Sequence, residues 1–297
     1  YEPDLPVIID PILDYSTYVG GTQDDRGSGI GLDDYGYIYI AGSTKSTNFP
    51  LSNSPPYQQK LNGSWDVFVF KIKPDGSLPV YSTYIGGFYE DQAHDLVVDN
   101  MTGISTITGY TYSPNYPITI GGPKFNESDV FVTRLNAAGS GLIWSTVLGG
   151  NWTEEGMSIA LRSDGDPIVV GFTGSSDFNV TTSDPWNGCA DAFVARFNDP
   201  NGALISSRYF GGSGNDNAYG VALNDTNRIF ITGSTDSLNF TVAPGFRALN
   251  SGLTDAFITI MNPALTILKD TYLGGIQNDI GTGIAVDQNN SPYITGY

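Results

Sequence analysis

The sequence predicts an all-β fold: a five-bladed β-propeller of four-stranded antiparallel blades, about 63 residues per repeat. Three observations predict it. Gly-Gly pairs recur at Gly20-Gly21, Gly86-Gly87, Gly149-Gly150, Gly211-Gly212 and Gly274-Gly275, at intervals of 66, 63, 62 and 63 residues. Four residues past each second glycine stands an acid: Asp25, Asp91, Glu154, Asp216 and Asp279. Between pairs, β-rich runs alternate with turn residues, and no run has a helical period. A period of this length marks a repeated supersecondary unit.

The first repeat gives the elements in order. Gly27 to Leu32 alternates small and larger residues, and Asp33-Asp34-Tyr35-Gly36 turns the chain. Tyr37 to Ala41 is a second strand, expected to end at Gly42. A polar loop rich in Ser, Asn and Pro follows. Asp66 to Ile72 is a third strand, Lys73-Pro74-Asp75-Gly76 a second turn, and Val80 to Ile85 the fourth strand. Two hairpin turns and one long loop make these four strands one antiparallel sheet.

The first strand explains why such sheets stack. Two, four and six residues past the acid lie mostly small residues, such as Gly27, Gly29 and Gly31, or Ala218, Gly220 and Ala222. Five and seven past it lie bulky aliphatics: Ile30 and Leu32, Leu96 and Val98, Ile159 and Leu161, Val221 and Leu223, Ile284 and Val286. Side chains alternate faces along a strand, so one face is nearly flat, the other bulky, and both want cover. That suits blades crowding a common axis. Other markers recur: glycines at Gly42, Gly109, Gly171, Gly233 and Gly296, then Phe49, Tyr116, Phe178 and Phe240 seven residues on. Asp66, Asp129, Asp191 and Asp255 open the third strands, each with Phe two residues later. Their expected roles are structural: close backbone approach, an aromatic pin at the loop base, and loop amides bound to Asp.

Tyr-Ser-Thr-Tyr-Ile-Gly-Gly (81–87), Asp-Ala-Phe-Val (191–194), Gly-Ile-Ala-Val-Asp (283–287) and Tyr-Ile-Thr-Gly-Tyr (293–297) resemble the SBBP-type β-propeller repeats of prokaryotic cell-surface proteins. The resemblance covers nearly the whole chain. It implies export, repeat arrays and cell-surface placement, and it carries over no catalytic residue.

Four repeats are complete, giving blades at 25–86, 91–149, 154–211 and 216–274. Residues 279–297 supply only the first two strands of a fifth. Its outer strands are expected from residues 4–20, with Asp4 to Asp10 aligned to a third strand and Tyr15 to Val19 to a fourth. Pro6 removes a ladder donor, and the stretch from Asp4 to Tyr15 is shorter than that from Asp66 to Tyr81. The same exchange between molecules would build a filament or array.

Composition narrows the partners. The 297 residues hold 13 Lys and Arg against 31 Asp and Glu, a net charge of −18. Such a chain repels nucleic acid and anionic membranes. No apolar stretch is long enough to span a membrane. Cys189 is the only cysteine and is expected to be buried. Sequons at Asn62, Asn100, Asn126, Asn151, Asn179, Asn224 and Asn239 all fall in expected loops or turns, as surface glycosylation of an exported protein requires.

Function is expected at the end bearing the long loops, 43–65, 110–128, 172–190 and 234–254, which differ from blade to blade. Tyr57, Tyr112, Phe125, Trp186 and Phe246 are the aromatics there that suit sugar rings, or that pack their own loops. The acids Asp25, Asp91, Glu154, Asp216 and Asp279 lie at the same end. As a ring they would suit Ca²⁺, the one cofactor considered. As separate ties each would accept amide hydrogens within its own connection, which the repetition favours. Catalytic sets are thin. His94 is the sole histidine and no nucleophile elbow accompanies it. A glycosidase needs two differently tuned carboxylates, for which Glu154-Glu155 or Glu90-Asp91 are the candidates. The expectation is a non-enzymatic, exported cell-surface propeller, structural or adhesive, binding neighbouring subunits or glycans. Its alternatives are a glycan-active enzyme and a strand-exchanging filament subunit.

Overall fold

The computed structural model describes residues 16–122, 127–182, 184–240, 250 and 252–297. It is all-β. The first sheet holds β1 (Asp25–Leu32), β2 (Ile38–Thr44), β3 (Asp66–Ile72) and β4 (Pro79–Ile85). The second holds β5 (Asp91–Val98), β6 (Ser105–Thr111), β7 (Asp129–Leu135) and β8 (Leu142–Leu148). The third holds β9 (Glu154–Leu161), β10 (Pro167–Thr173), β11 (Asp191–Phe197) and β12 (Leu204–Phe210). The fourth holds β13 (Asp216–Leu223), β14 (Ile229–Thr235), β15 (Asp255–Met261) and β16 (Ile267–Leu273). β17 (Gly281–Val286) and β18 (Pro292–Gly296) form a two-stranded fifth. Every pairing is antiparallel, in chain order. Both expected turns of the first repeat form, with Gly36 at φ 79° and Gly76 at φ 69°, a region open to glycine at little cost.

β1 packs on β5, β5 on β9, β9 on β13 and β13 on β17. The small face permits this. A Cβ on Gly29 would lie 2.6 Å from the Leu96 amide nitrogen, and one on Gly31 would lie 2.8 Å from Val98 Cγ2. Residues of all five first strands line one cavity of about 370 Å³. No comparable contact among the described residues joins β17 back to β1. The aliphatics Ile30 and Leu32 of β1 therefore stand 71% and 57% exposed, while their counterparts Leu96, Val98, Ile159 and Val221 are buried.

The pinning role of the loop-base aromatics is met. Phe49 lies 4.4 Å from Phe68, Tyr116 4.9 Å from Phe131, Phe178 4.8 Å from Phe193 and Phe240 4.5 Å from Phe257, centroid to centroid. Each pair is buried. Tyr84, Tyr209 and Tyr272 of the fourth strands reach across to donate to the carbonyls of Ser46, Ser175 and Ser237 at 2.7, 2.9 and 2.8 Å.

Three expectations need correction. The second strand does not end at its glycine; it runs two residues further, to Thr44, Thr111, Thr173 and Thr235. The glycine is there because the first strand's backbone presses on it: a Cβ on Gly42 would lie 2.0 Å from the Arg26 carbonyl oxygen, and one on Gly109 1.9 Å from that of Gln92. Ser16 to Val19 form no strand, and Tyr18 is fully exposed; a strand needs a partner, and β18 pairs among the described residues only with β17. Residues 4–15, the rest of that expected half-blade, lie outside the described residues. Cys189 is exposed, because it sits in the loop after β10 and not on a strand. No helix of the described residues is long and apolar enough to cross a membrane.

Candidate functional site

The five repeated acids sit where one sheet hands over to the next. Each accepts the amide of its own second glycine: Gly21, Gly87, Gly212 and Gly275 donate at 2.7 Å to Asp25, Asp91, Asp216 and Asp279, and Gly150 at 2.6 Å to Glu154. The threonine ending the second strand donates as well: Thr44 to Asp25 at 2.5 Å, Thr173 to Glu154 at 2.9 Å, Thr111 to Asp91 and Thr235 to Asp216. A serine two residues on completes the set, Ser46, Ser113 and Ser237 donating at 3.0, 2.8 and 2.9 Å. The pattern Thr-x-Ser follows every one of these four strands and was open to reading in the sequence, but nothing marked it until the acid's partners were known.

Beside four of the five acids, Asp91, Glu154, Asp216 and Asp279, stands a second carboxylate, from Asp66, Asp129, Asp191 and Asp255. Asp66 accepts from the Asn62 and Gly63 amides at 2.9 and 3.0 Å and from Gln58 Nε2 at 2.7 Å. Asp191 accepts from the Asn187 amide at 2.9 Å. These bonds bear out the expectation of Asp bound to loop amides. In these four joints the first glycine of the pair fits between the two carboxylates. A Cβ on Gly86 would lie 2.6 Å from Asp66 Oδ1 and 2.9 Å from Asp91 Oδ2, and one on Gly211 2.7 Å from Asp216 Oδ2 and 3.0 Å from Asp191 Oδ1. Backbone bonds lock the same joint: the amides of Asp91, Glu154, Asp216 and Asp279 donate to the carbonyls of Trp65, Ser128, Ala190 and Thr254 at 2.8–2.9 Å.

Burial dominates the titration here. It pushes Asp91 up to about 7, against the pull of its three donors, and the neighbouring Asp66 charge adds to the rise. Asp191 is pushed up to about 6 by burial, with the Asp216 charge adding. Burial also raises Asp66, Glu154 and Asp216. Among the described residues no three His, Cys, Asp or Glu side chains converge as a metal cluster would require. The acids are distributed one joint at a time.

The candidate ligand-binding aromatics separate. Tyr112 is exposed at the loop end. Tyr57 is half-buried against the Tyr39–Ile107 core, its amide donating to the Gly139 carbonyl at 3.0 Å. Trp186 is half-buried against the Val130–Phe193 core. Phe125 and Phe246 lie outside the described residues. Sequence reasoning passed over Phe88, Tyr89 and Trp152, which stand within two residues of Gly-Gly pairs and project from the same end; Phe88 is 70% and Trp152 65% exposed. Their signal was the connection itself, too short to bury a ring. Of the sequons, Asn62, Asn100, Asn151, Asn179 and Asn239 are exposed and Asn224 half-buried, all in loops or turns; Asn126 lies outside the described residues.

His94 has an acid and not a nucleophile beside it. Its Nε2 lies 3.1 Å from Glu155 Oε2 of the next sheet, an ion-pair distance. Tyr110 donates to Glu90 at 2.8 Å, and Gln92 to the same oxygen at 2.5 Å. Of the glycosidase candidates, Asp91 and Glu154 are consumed by their joints, and Glu90 and Glu155 lie against these partners.

Residues 14–50 match the SBBP beta-propeller repeat. The SBBP match spans the first Gly-Gly pair, its acid and the Thr44–Phe49 segment that ties to it. No curated protein matches the chain in sequence. Distant matches among solved structures include a gluconolactonase, XC5397 from Xanthomonas campestris, at 14% identity and TM-score 0.42, covering 91% of this chain and 69% of that one. Another is CoXyl43, a GH43 beta-xylosidase/alpha-arabinofuranosidase from a compost metagenome, at 11% identity and TM-score 0.44, covering 94% and 86%. A third is Sqt1 from Chaetomium thermophilum, at 13% identity and TM-score 0.39, covering 89% and 65%.

Proposed function

We propose that this chain is a five-bladed β-propeller acting as a non-enzymatic, exported cell-surface module, structural or adhesive, whose long-loop end binds glycans or neighbouring subunits. Support for five blades comes from five successive first strands around one cavity. The observation that carries the binding role is the exposed aromatic set Phe88, Tyr89, Tyr112 and Trp152 at one end of a scaffold whose repeated acids are tied into its joints. Exposed aromatics on a rigid frame mark recognition surfaces, and a ring face suits the C–H face of a sugar. The net charge of −18 favours neutral glycans over acidic ones.

A glycan array tests this reading. Neutral glycans should bind the whole chain, and a Tyr89→Ala, Trp152→Ala double variant should lose them. Turnover of a polysaccharide, abolished by one carboxylate substitution, would replace it with the enzymatic alternative. The exposed Ile30 and Leu32 and the edge of β18, unpaired among the described residues, favour a second reading, self-assembly by strand exchange. Sedimentation gives its test: a concentration-independent monomer would exclude it.

A further inference from the structure

The first strands share a feature that strict alternation hides. Each carries a β-bulge three residues past its acid. The ladder slips between Gly27 and Gly29, Ala93 and Asp95, Ala218 and Gly220, and Gly281 and Gly283; in β9 it slips between Gly156 and Ser158. The unpaired residues are Ser28, His94, Met157, Tyr219 and Thr282. A bulge re-aims one side chain out of the sheet's alternation. All five line the same cavity of about 370 Å³, within the roughly 300–1,000 Å³ of small-molecule sites.

Neighbouring positions keep one character in every repeat, small before and mostly small after, then aliphatic. The bulge position changes each time: hydroxyl, imidazole, thioether, phenol, hydroxyl. Packing between blades does not dictate it, since the bulge lifts the side chain off both packed faces. The scaffold thus holds five freely chosen groups around one polar space.

The lining selects a ligand class. It contains no Lys or Arg to meet an anion. Its carboxylate, Asp95, is already held by the Leu96 amide at 2.8 Å, Ser158 Oγ at 2.9 Å and the Ile159 amide at 3.0 Å. Glu155 nearby faces His94. A metal ion would find no open carboxylate, and an apolar molecule would strand these polar groups. What stays available is hydroxyl and ring. Tyr219 makes no hydrogen bond to a described residue, while Ser28 and Thr282 make only long ones of 3.4 Å.

We propose that the bulge residues Ser28, His94, Met157, Tyr219 and Thr282 form an axial binding site for a neutral polyhydroxylated molecule of monosaccharide size. The site is separate from the aromatic rim, and it stands or falls independently of it.

Saturation-transfer NMR on the whole chain, with glucose, galactose and N-acetylglucosamine as probes and glucuronate and Ca²⁺ as competitors, tests the site. At least one neutral sugar should show transfer that neither competitor displaces. Met157→Trp, which fills the cavity from a bulge, should weaken binding about tenfold or more, and Tyr219→Phe several-fold, the order expected for one lost hydrogen bond. Circular dichroism should show both variants folded. No transfer from any of the three sugars overturns the proposal, as does displacement by glucuronate or Ca²⁺. Transfer that survives Met157→Trp undiminished also overturns it, since binding then lies outside the axial space. Should Met157→Trp not fold, Tyr219→Phe decides: unchanged affinity overturns the site.

Discussion

Gly86→Ala is the sharpest probe of the joints. Gly86 does not occupy the left-handed region, so alanine meets no backbone penalty there. The perturbation is steric alone. The new Cβ would lie 2.6 Å from both Cγ and Oδ1 of Asp66 and 2.9 Å from Asp91 Oδ2. Neither acid can yield freely, since Asp66 accepts three hydrogen bonds and Asp91 another three, and both are fully buried. Overpacking of this kind costs about 1–3 kcal/mol. Displacing one accepted hydrogen bond adds about 1 kcal/mol. The expected loss is about 2–4 kcal/mol, or roughly 3–6 °C in Tm for a chain of this size. Gly122→Ala is the matched control, because nothing lies within 4 Å of its added Cβ and Gly122 is also outside the left-handed region. Its change should stay within about 0.5 kcal/mol. Urea melts of the two variants decide the matter. Equal stabilities within about 0.5 kcal/mol would mean that the glycine pairs are not shaped by the carboxylates, and the reasoning fails.

Further outcomes follow from the same geometry. Because burial lifts Asp91 to about 7 from its ordinary 3.8, the folded chain holds a proton there that the unfolded chain releases. Its contribution to stability should therefore fall as pH rises from about 4 through 7, and Asp91→Asn should flatten that part of a stability–pH curve from urea melts. Arg134 is buried, with Nη2 2.6 Å from Asp199 Oδ1 and Nη1 2.9 Å from Thr106 Oγ1. Arg134→Ala should cost about 3–5 kcal/mol by calorimetry, more than the exposed-pair change Lys45→Ala, at about 0–1 kcal/mol. Tyr209→Phe removes the hydroxyl that donates to the Ser175 carbonyl and should cost about 1 kcal/mol in the same assay.

The sequence was legible where one rule acts alone. The repeat period, the four runs, the turns at Gly36 and Gly76, and the aromatic pins at Phe49 and Phe178 each follow from local pattern. The small and bulky faces of the first strand foretold the packing of Gly29 on Leu96. The axial residues stayed hidden because period-two reading assigns each position a face, and a bulge breaks the period at the residue that matters. Gly42 read as a terminator because glycine usually punctuates strands, whereas here it makes room for the Arg26 carbonyl. Tyr57 is drawn onto the Tyr39–Ile107 core while Trp152, which the sequence reading passed over, stands exposed, since exposure depends on how a loop folds back. The acids were correctly located, but their partners came from threonines and serines about 20 residues away in sequence, beyond any local rule.

Hydrogen exchange at β18 tests closure of the five-bladed ring most directly. If an outer strand completes the fifth blade on β18, the amides of Tyr293 to Gly296 that face away from β17 should be protected in the whole chain, and removal of residues 1–20 tells whether that strand comes from this end of the chain. Amides that exchange as fast as those of the neighbouring Asn289-Asn290 turn, with or without residues 1–20, would contradict the account.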